Sequence, residues 1–160
     1  MKRTLVLLTC ALSAAVSAAP PPGHGPDRDS VMGGGKSFSD IFNVVAHSGP
    51  NGEAAFGHLK SQNVRGFDYV FDVEADVTCL RVDDDVATIG GRLTKLVAPG
   101  YSIDTSPGVI QYVKDGRPTG TPDAISYQFP VNYIPTSCPP PSAVYTIFPL
   151  LEGNLNVNDE

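Results

Sequence analysis

Val77-Thr-Cys-Leu-Arg-Val-Asp-Asp-Asp-Val-Ala-Thr-Ile-Gly-Gly-Arg-Leu93 joins alternating apolar spacing, a turn and a cysteine in one stretch. Apolar residues at every second position on both sides of an aspartate cluster are the pattern of a β-hairpin. The most economical turn is Asp84-Asp85, with Asp83 opposite Val86, because aspartate tolerates the positive φ that such turns need. That register sets Val82 against Ala87 and Leu80 against Ile89, a pair of contacts directed at a core, and turns Cys79 and Arg81 to the other face. Gly90-Gly91 then permits a sharp bend or the close approach of another backbone. It lacks the strand, spaced glycines and helix of a phosphate-cradling loop, so no nucleotide cofactor is implied.

Upstream, Phe67-Asp-Tyr-Val-Phe-Asp-Val-Glu-Ala-Asp-Val-Thr-Cys-Leu-Arg-Val82 is strand-like but changes phase. Phe67, Tyr69, Phe71 and Val73 share one parity, Leu80 and Val82 the other, so both sets reach one core only through a β-bulge or kink near Ala75 or Asp76. Ile41 to Ser48, a Gly49-Pro-Asn-Gly52 turn and Ala54 to Lys60 read as strand, turn, strand, setting His47 across from Ala55 and His58 across from Val44. Val109 to Val113 and Ala124 to Phe129 form a second hairpin around a long polar loop. Val144 to Phe148 and Leu155 to Val157 close the sheet, with a turn at Glu152-Gly153. No stretch sustains a 3.6-residue period. The expectation is an all-β domain, a single antiparallel β-barrel or a strongly coiled β-sandwich of about seven to nine strands, with almost no helix in the mature chain.

The ends of the chain read differently. Lys2 and Arg3, an apolar run from Leu5 to Val16 and small residues at Val16-Ser17-Ala18 make residues 1–18 a secretory signal peptide, too short and interrupted for a membrane span. Residues 19–37, rich in proline and glycine, read as a disordered leader, and residues 38–160 as one β domain. The signal segment holds two of the 11 basic and none of the 17 acidic residues, so net charge falls from −6 to −8 on its removal. Such a surface repels phosphate backbones and anionic headgroups, which argues against nucleic acid and, after signal cleavage, membrane as partners. Cys79 and Cys138 remain, in a chain bound for an oxidising compartment, and pair as one structural disulfide. Closing a loop of this length stabilises by about 4 kcal/mol in the chain-entropy model. The prolines of Ile134-Pro-Thr-Ser-Cys-Pro-Pro-Pro141 make a stiff strap that presents Cys138.

Few residues offer chemistry. Asp72, Glu74 and Asp76 share a strand face and would bind calcium, supply an acid–base pair or simply form a solvated outer face. Asp115 and Asp123 flank the long loop, where a turn-stabilising role competes with a pinched cation. His24 sits in the leader, and His47 with His58 lack the partners a zinc ion needs. No nucleophile elbow is present, and no catalytic, metal or cofactor-binding residue is assigned. Tyr69, Tyr112 and Tyr127 are placed to stack on a sugar or line a pocket.

Ala46-His-Ser-Gly-Pro-Asn-Gly-Glu53, Val77-Thr-Cys-Leu80 with Ala87-Thr-Ile-Gly-Gly91, Lys114-Asp-Gly-Arg-Pro118 with Asp123, Cys138-Pro139 and Gly153-Asn-Leu-Asn-Val-Asn-Asp159 occur in this order. The series resembles a group of uncharacterised secreted proteins, mainly actinobacterial, over most of residues 40–159. Asp84-Asp85 stands where that group carries Gly-Asn, a change confined to the turn. The resemblance implies a secreted β-fold, and with no activity established for the group it implies no catalytic residue. The expected function is a secreted, non-enzymatic binding or structural module that recognises an extracellular protein or polysaccharide through loops. A small-ligand or sugar-binding β-barrel is the second reading, separated from the first by whether the interior holds a lined cavity. A carboxylate-based hydrolase using Asp72 and Glu74 is the third.

Overall fold

The structure is a computed structural model that describes residues 28–38, 40–63, 71–141 and 147–159. Residues 1–27, which include the expected signal segment and His24 of the expected leader, and Phe67 and Tyr69 of the expected long strand lie outside these residues. Ten strands are described: β1 (Ser30–Lys36), β2 (Asp40–His47), β3 (Phe56–Asn63), β4 (Asp72–Asp83), β5 (Val86–Val97), β6 (Gly108–Lys114), β7 (Ala124–Ser126), β8 (Phe129–Val131), β9 (Ile147–Pro149) and β10 (Glu152–Asn158). The only described helical element is a 3-10 turn at Arg117–Thr119. All pairings are antiparallel, in the order β10-β1-β2-β3-β4-β5-β6-β7-β9, with β8 on β6 beside β7. This is one strongly curled, barrel-like sheet, as the strand patterns imply.

The hairpin at its centre forms in the expected register. Asp83 pairs with Val86, Val82 with Ala87 and Leu80 with Ile89, and Asp84 alone of the two turn residues takes positive φ, 57°. Leu80, Ala87 and Ile89 are buried and Val82 packs beside them. The phase change upstream is resolved by two register shifts, between Glu74 and Ala75 and between Val77 and Cys79. They let Val73, Ala75 and Val77 on one parity and Leu80 on the other enter the same core. Phe42, Leu59, Ile125 and Leu155 fill the rest of it.

The glycine stretch departs from expectation. Met32-Gly-Gly-Gly-Lys36 is not leader but the body of β1, paired on both sides, so the β domain begins at least at Ser30 and not at residue 38. Three consecutive glycines carry no alternating pattern, which hides the strand. They are there because the neighbouring backbones come too close for side chains. A Cβ on Gly33, whose φ is 146°, would stand 2.1 Å from the Asn154 carbonyl oxygen, and one on Gly35 would stand 2.3 Å from that of Glu152. This added strand and the division of Ala124–Phe129 into two bring the count of described strands to ten.

Three smaller corrections concern registers and turns. His47 faces Phe56 and His58 faces Val45, each one residue from the expected partner, because the turn after β2 extends through Ala54, whose φ is 51°. The turn before the last strand lies at Leu150-Leu151 and not at Glu152-Gly153, which belong to β10. Proline at 149 ends β9, and Gly153 is needed inside β10 where it meets Gly34 and Gly35. The run Ala124–Phe129 is two strands: β6 residues 111 and 112 face three residues, 126 to 128, so Tyr127 sits in a bulge.

Cys79 and Cys138 form a disulfide with Cα atoms 5.4 Å apart across 59 residues. Both sulfurs lie outside the main apolar cluster, on the face opposite Leu80 and Ile89. Gly90, opposite Cys79, makes room for the strap: a Cβ there would stand 2.5 Å from the Cys79 sulfur and 2.8 Å from Cβ of Pro135. Thr78 ties the strap further by donating its hydroxyl to the Pro135 carbonyl. Gly90→Ala is therefore expected to lower stability by about 1–3 kcal/mol through overpacking, measured by urea denaturation. A thiol assay on the folded protein should find neither Cys79 nor Cys138 reactive.

Candidate functional site

The two end strands of the curled sheet, β9 and β10, are consecutive in the chain and are not paired with each other. Along β10, the amides of Leu155 and Val157 point away from β1, since strand amides alternate sides. An unpaired amide buried at such a seam is costly. The long loop after β6 meets this need. Asp123 accepts a hydrogen bond from Leu155 N at 2.6 Å through one oxygen and from Gly116 N at 2.8 Å through the other. Asp115 accepts from Val157 N at 3.3 Å, and from the Arg117 backbone and guanidinium. Arg117 Nη2 also donates to the Asn156 side chain.

Thus the two loop aspartates take the turn-stabilising role. Both oxygens of each are filled by N–H donors, and the carboxylates stand in for the missing neighbour strand. Asp115 is 2% exposed, and hydrogen bonds from Arg117, outweighing the effect of burial, hold its carboxyl below the usual 3.8. The central hairpin joins the same seam. Asp84 N donates to Asp159, and the Asp85 carbonyl accepts from Asp115 N.

The carboxylate row on β4 is an ion-pair ladder. Lys95 reaches Asp72 at 2.5 Å and Glu74 at 3.8 Å, Lys60 reaches Glu74 at 2.8 Å, and His58 comes within 3.7 Å of Asp76. Asp72 is buried and not on a solvated face. The hydrogen bond from Lys60 is the main reason the Glu74 carboxyl is held low, and the one Lys95 donates to Asp72 the main reason the Lys95 ammonium is held high. A general acid needs a raised carboxyl pKa, so Glu74 is poorly suited to that role. His47 stacks on Phe56, with centroids 5.2 Å apart, instead of meeting His58. Among the described residues no three histidine, cysteine, aspartate or glutamate side chains stand where they could share a metal ion.

A concave site lies at the end of the seam. Leu150 N donates to the Asp123 carbonyl and Leu151 N to that of Lys36, carrying the chain from β9 across to β1. Here Ser37 and Phe38 leave β1, Asp40 opens β2, the bulge presents Tyr127, and Phe148 and Leu151 flank the crossing. Together they line a cleft of about 360 Å³. Phe38 and Leu151 are each 63% exposed and Tyr127 51%, and the Tyr127 and Phe148 rings lie 4.6 Å apart at 56°.

Of the tyrosines expected to stack on a ligand, Tyr127 alone stands in this cleft. Tyr112 is buried edge-on to Phe129, and Tyr69 lies outside the described residues. Phe38, Asp40, Phe148 and Leu151 carried no signal as site residues, because only the seam brings them together. No helix among the described residues is long and apolar enough to cross a membrane. No protein-family model, curated protein or solved structure matches the chain.

Asp115→Asn is expected to cost about 2 kcal/mol at pH 7, the worth of hydrogen bonds to a buried charged group. Because the folded carboxyl titrates below 3.8, its contribution is complete above that pH and fades as pH falls through the lower, folded value. Denaturation midpoints of the two proteins should therefore differ at pH 7 and converge in acid below pH 3.8.

Proposed function

We propose that this chain is a secreted, non-enzymatic binding module that recognises an extracellular partner through loop-borne side chains at the seam. The observation that carries the reading is the cleft itself: apolar and aromatic side chains from three separate segments gathered side by side, with Phe38, Tyr127 and Leu151 exposed. Water-exposed apolar surface gathered in a concavity is what ligand sites offer, and a bulge that re-aims one aromatic into it is a common device of such sites. Filled interior positions on Phe42, Leu59, Leu80, Ile89, Ile125 and Leu155 favour a surface site over a ligand held in the lumen. The signal-peptide reading, the disulfide and the acidic balance agree with an extracellular setting. The likeness of the hairpin and loop motifs to a group of secreted proteins points the same way.

The test is capture from the producing organism's cell wall, extracellular polysaccharide and medium proteins, with the wild type beside Tyr127→Ala and Phe148→Ala. Both variants should lose most of the capture; stability should fall by no more than about 1 kcal/mol for Tyr127→Ala, which is half exposed, and by more for Phe148→Ala, which is partly buried. Equal capture by all three proteins would contradict the reading.

A further inference from the structure

We infer that the outer face of β10-β1-β2 docks a second copy of this chain, about a two-fold axis that crosses the strands at Gly34. Strand pairing fixes which side chains share that face. Met32 stands beside Val45 and Asn156, Gly34 beside Asn43 and Asn154, and Lys36 beside Ile41 and Glu152. These are three rows running across the strands, and the middle one has no side chain at its centre. A shallow hollow of about 730 Å³ lies there, floored by glycine backbone and edged by Lys36, Ile41, Asn43 and Glu152. The large apolar residues Met32, Ile41 and Val45 on the rows either side are 40%, 46% and 43% exposed. Apolar side chains gathered on one exposed face mark an interaction surface.

The polar side chains of this face are open where their neighbours are engaged. On the adjoining strands Lys60 is paired with Glu74 and Lys95 with Asp72. At the Ser30 end of the face, Asn156 is held by Arg117 and Asn158 by Ser30. By contrast, the side chains of Lys36, Asn43, Glu152 and Asn154 make no hydrogen bond or ion pair with any described residue. The outward charges of the three rows are one lysine and one glutamate, in a chain whose net charge is −6. Two acidic copies repel each other least where such a balanced face meets its like.

The order of the rows matches itself. Turning a copy over about the middle row exchanges the outer two, so Val45 of each copy meets Ile41 of the other, and Met32 meets the aliphatic stem of Lys36. Asn43 and Asn154 each meet their own counterpart, and a carboxamide, which both donates and accepts, pairs with its like across a two-fold axis. Gly34 lies on the axis, where a side chain would hold the two sheets apart. Three strands about 4.8 Å apart and seven residues of about 3.4 Å give a face of roughly 350 Å² in projection, which is small for an interface and makes the dimer a weak one.

The test is sedimentation velocity on the full secreted chain from about 10 µM to about 1 mM, the range that suits a weak interface. The unaltered protein is expected to pass from monomer to dimer. Val45→Lys and Ile41→Glu, both at exposed positions, should each weaken the dimer by about tenfold with little change in the urea midpoint. Mixed in equal amounts, the two variants should associate again, because the altered positions meet across the axis. Should either fail to fold, Asn43→Asp carries the test: it sets two carboxylates against each other at the axis and should weaken the dimer by about tenfold. A monomer at every concentration, a dimer that none of these substitutions weakens, or two folded variants that do not associate when mixed would overturn the inference. A chain that stays monomeric yet captures another extracellular protein, and loses it with Val45→Lys, would assign the face to a foreign partner and overturn the second copy.

Discussion

The edge of β10 is the constraint on which the rest of this structure depends. A curled sheet that stops short of full closure leaves two edges, and buried edge amides must find acceptors or destabilise the fold. Here the acceptors are two carboxylates. Asp115 and Asp123 come from the β6–β7 loop, at the far side of the sheet order from β10, and reach Val157 and Leu155. Carboxylate oxygens make stronger hydrogen bonds to N–H groups than neutral carbonyls do, so a few residues of loop replace a strand. The same contacts fix the loop, the turn of the central hairpin and the crossing at Leu150-Leu151 relative to one another.

The cleft follows from that closure. Phe38 and Asp40 lie beyond the end of β1, and Tyr127, Phe148 and Leu151 lie at or beyond the opposite edge of the sheet. They share a wall because the seam brings the two edges together. Tight curling has its own requirement, met by glycine where β1 passes between β2 and β10. Gly33 and Gly35 let those backbones approach to distances that any side chain would block. On the far side of the hairpin Gly90 does the same for the disulfide and its strap. Closure, curling and crosslink thus each rest on a few polar or side-chain-free positions around an apolar core that is otherwise ordinary.

What the sequence disclosed divides along a physical line. The central hairpin, its register and the outward Cys79 were legible because alternation and turn chemistry are local, and the disulfide because two cysteines leave one pairing. The phase change before Leu80 was legible as a bulge for the same reason. β1 was not, since glycine carries no periodic signal and its role is read only from what lies above and below it. The β4 ladder escaped because Lys60 and Lys95 face Glu74 only in the register that the strands adopt. Of the cleft, Tyr127 alone was legible. Its companions are separated by most of the chain and are joined only by sheet closure, which no local pattern encodes.

The central claim, that carboxylates close the sheet by holding the outer edge of β10, is tested most directly by residue-resolved amide hydrogen exchange at neutral pH. The account predicts that the Leu155 and Val157 amides exchange as slowly as Asn154 and Asn156, whose amides face β1. It also predicts that Asp115→Asn or Asp123→Asn frees Val157 or Leu155 while leaving Asn154 and Asn156 protected. Rapid exchange of Leu155 and Val157 in the unaltered protein would contradict it.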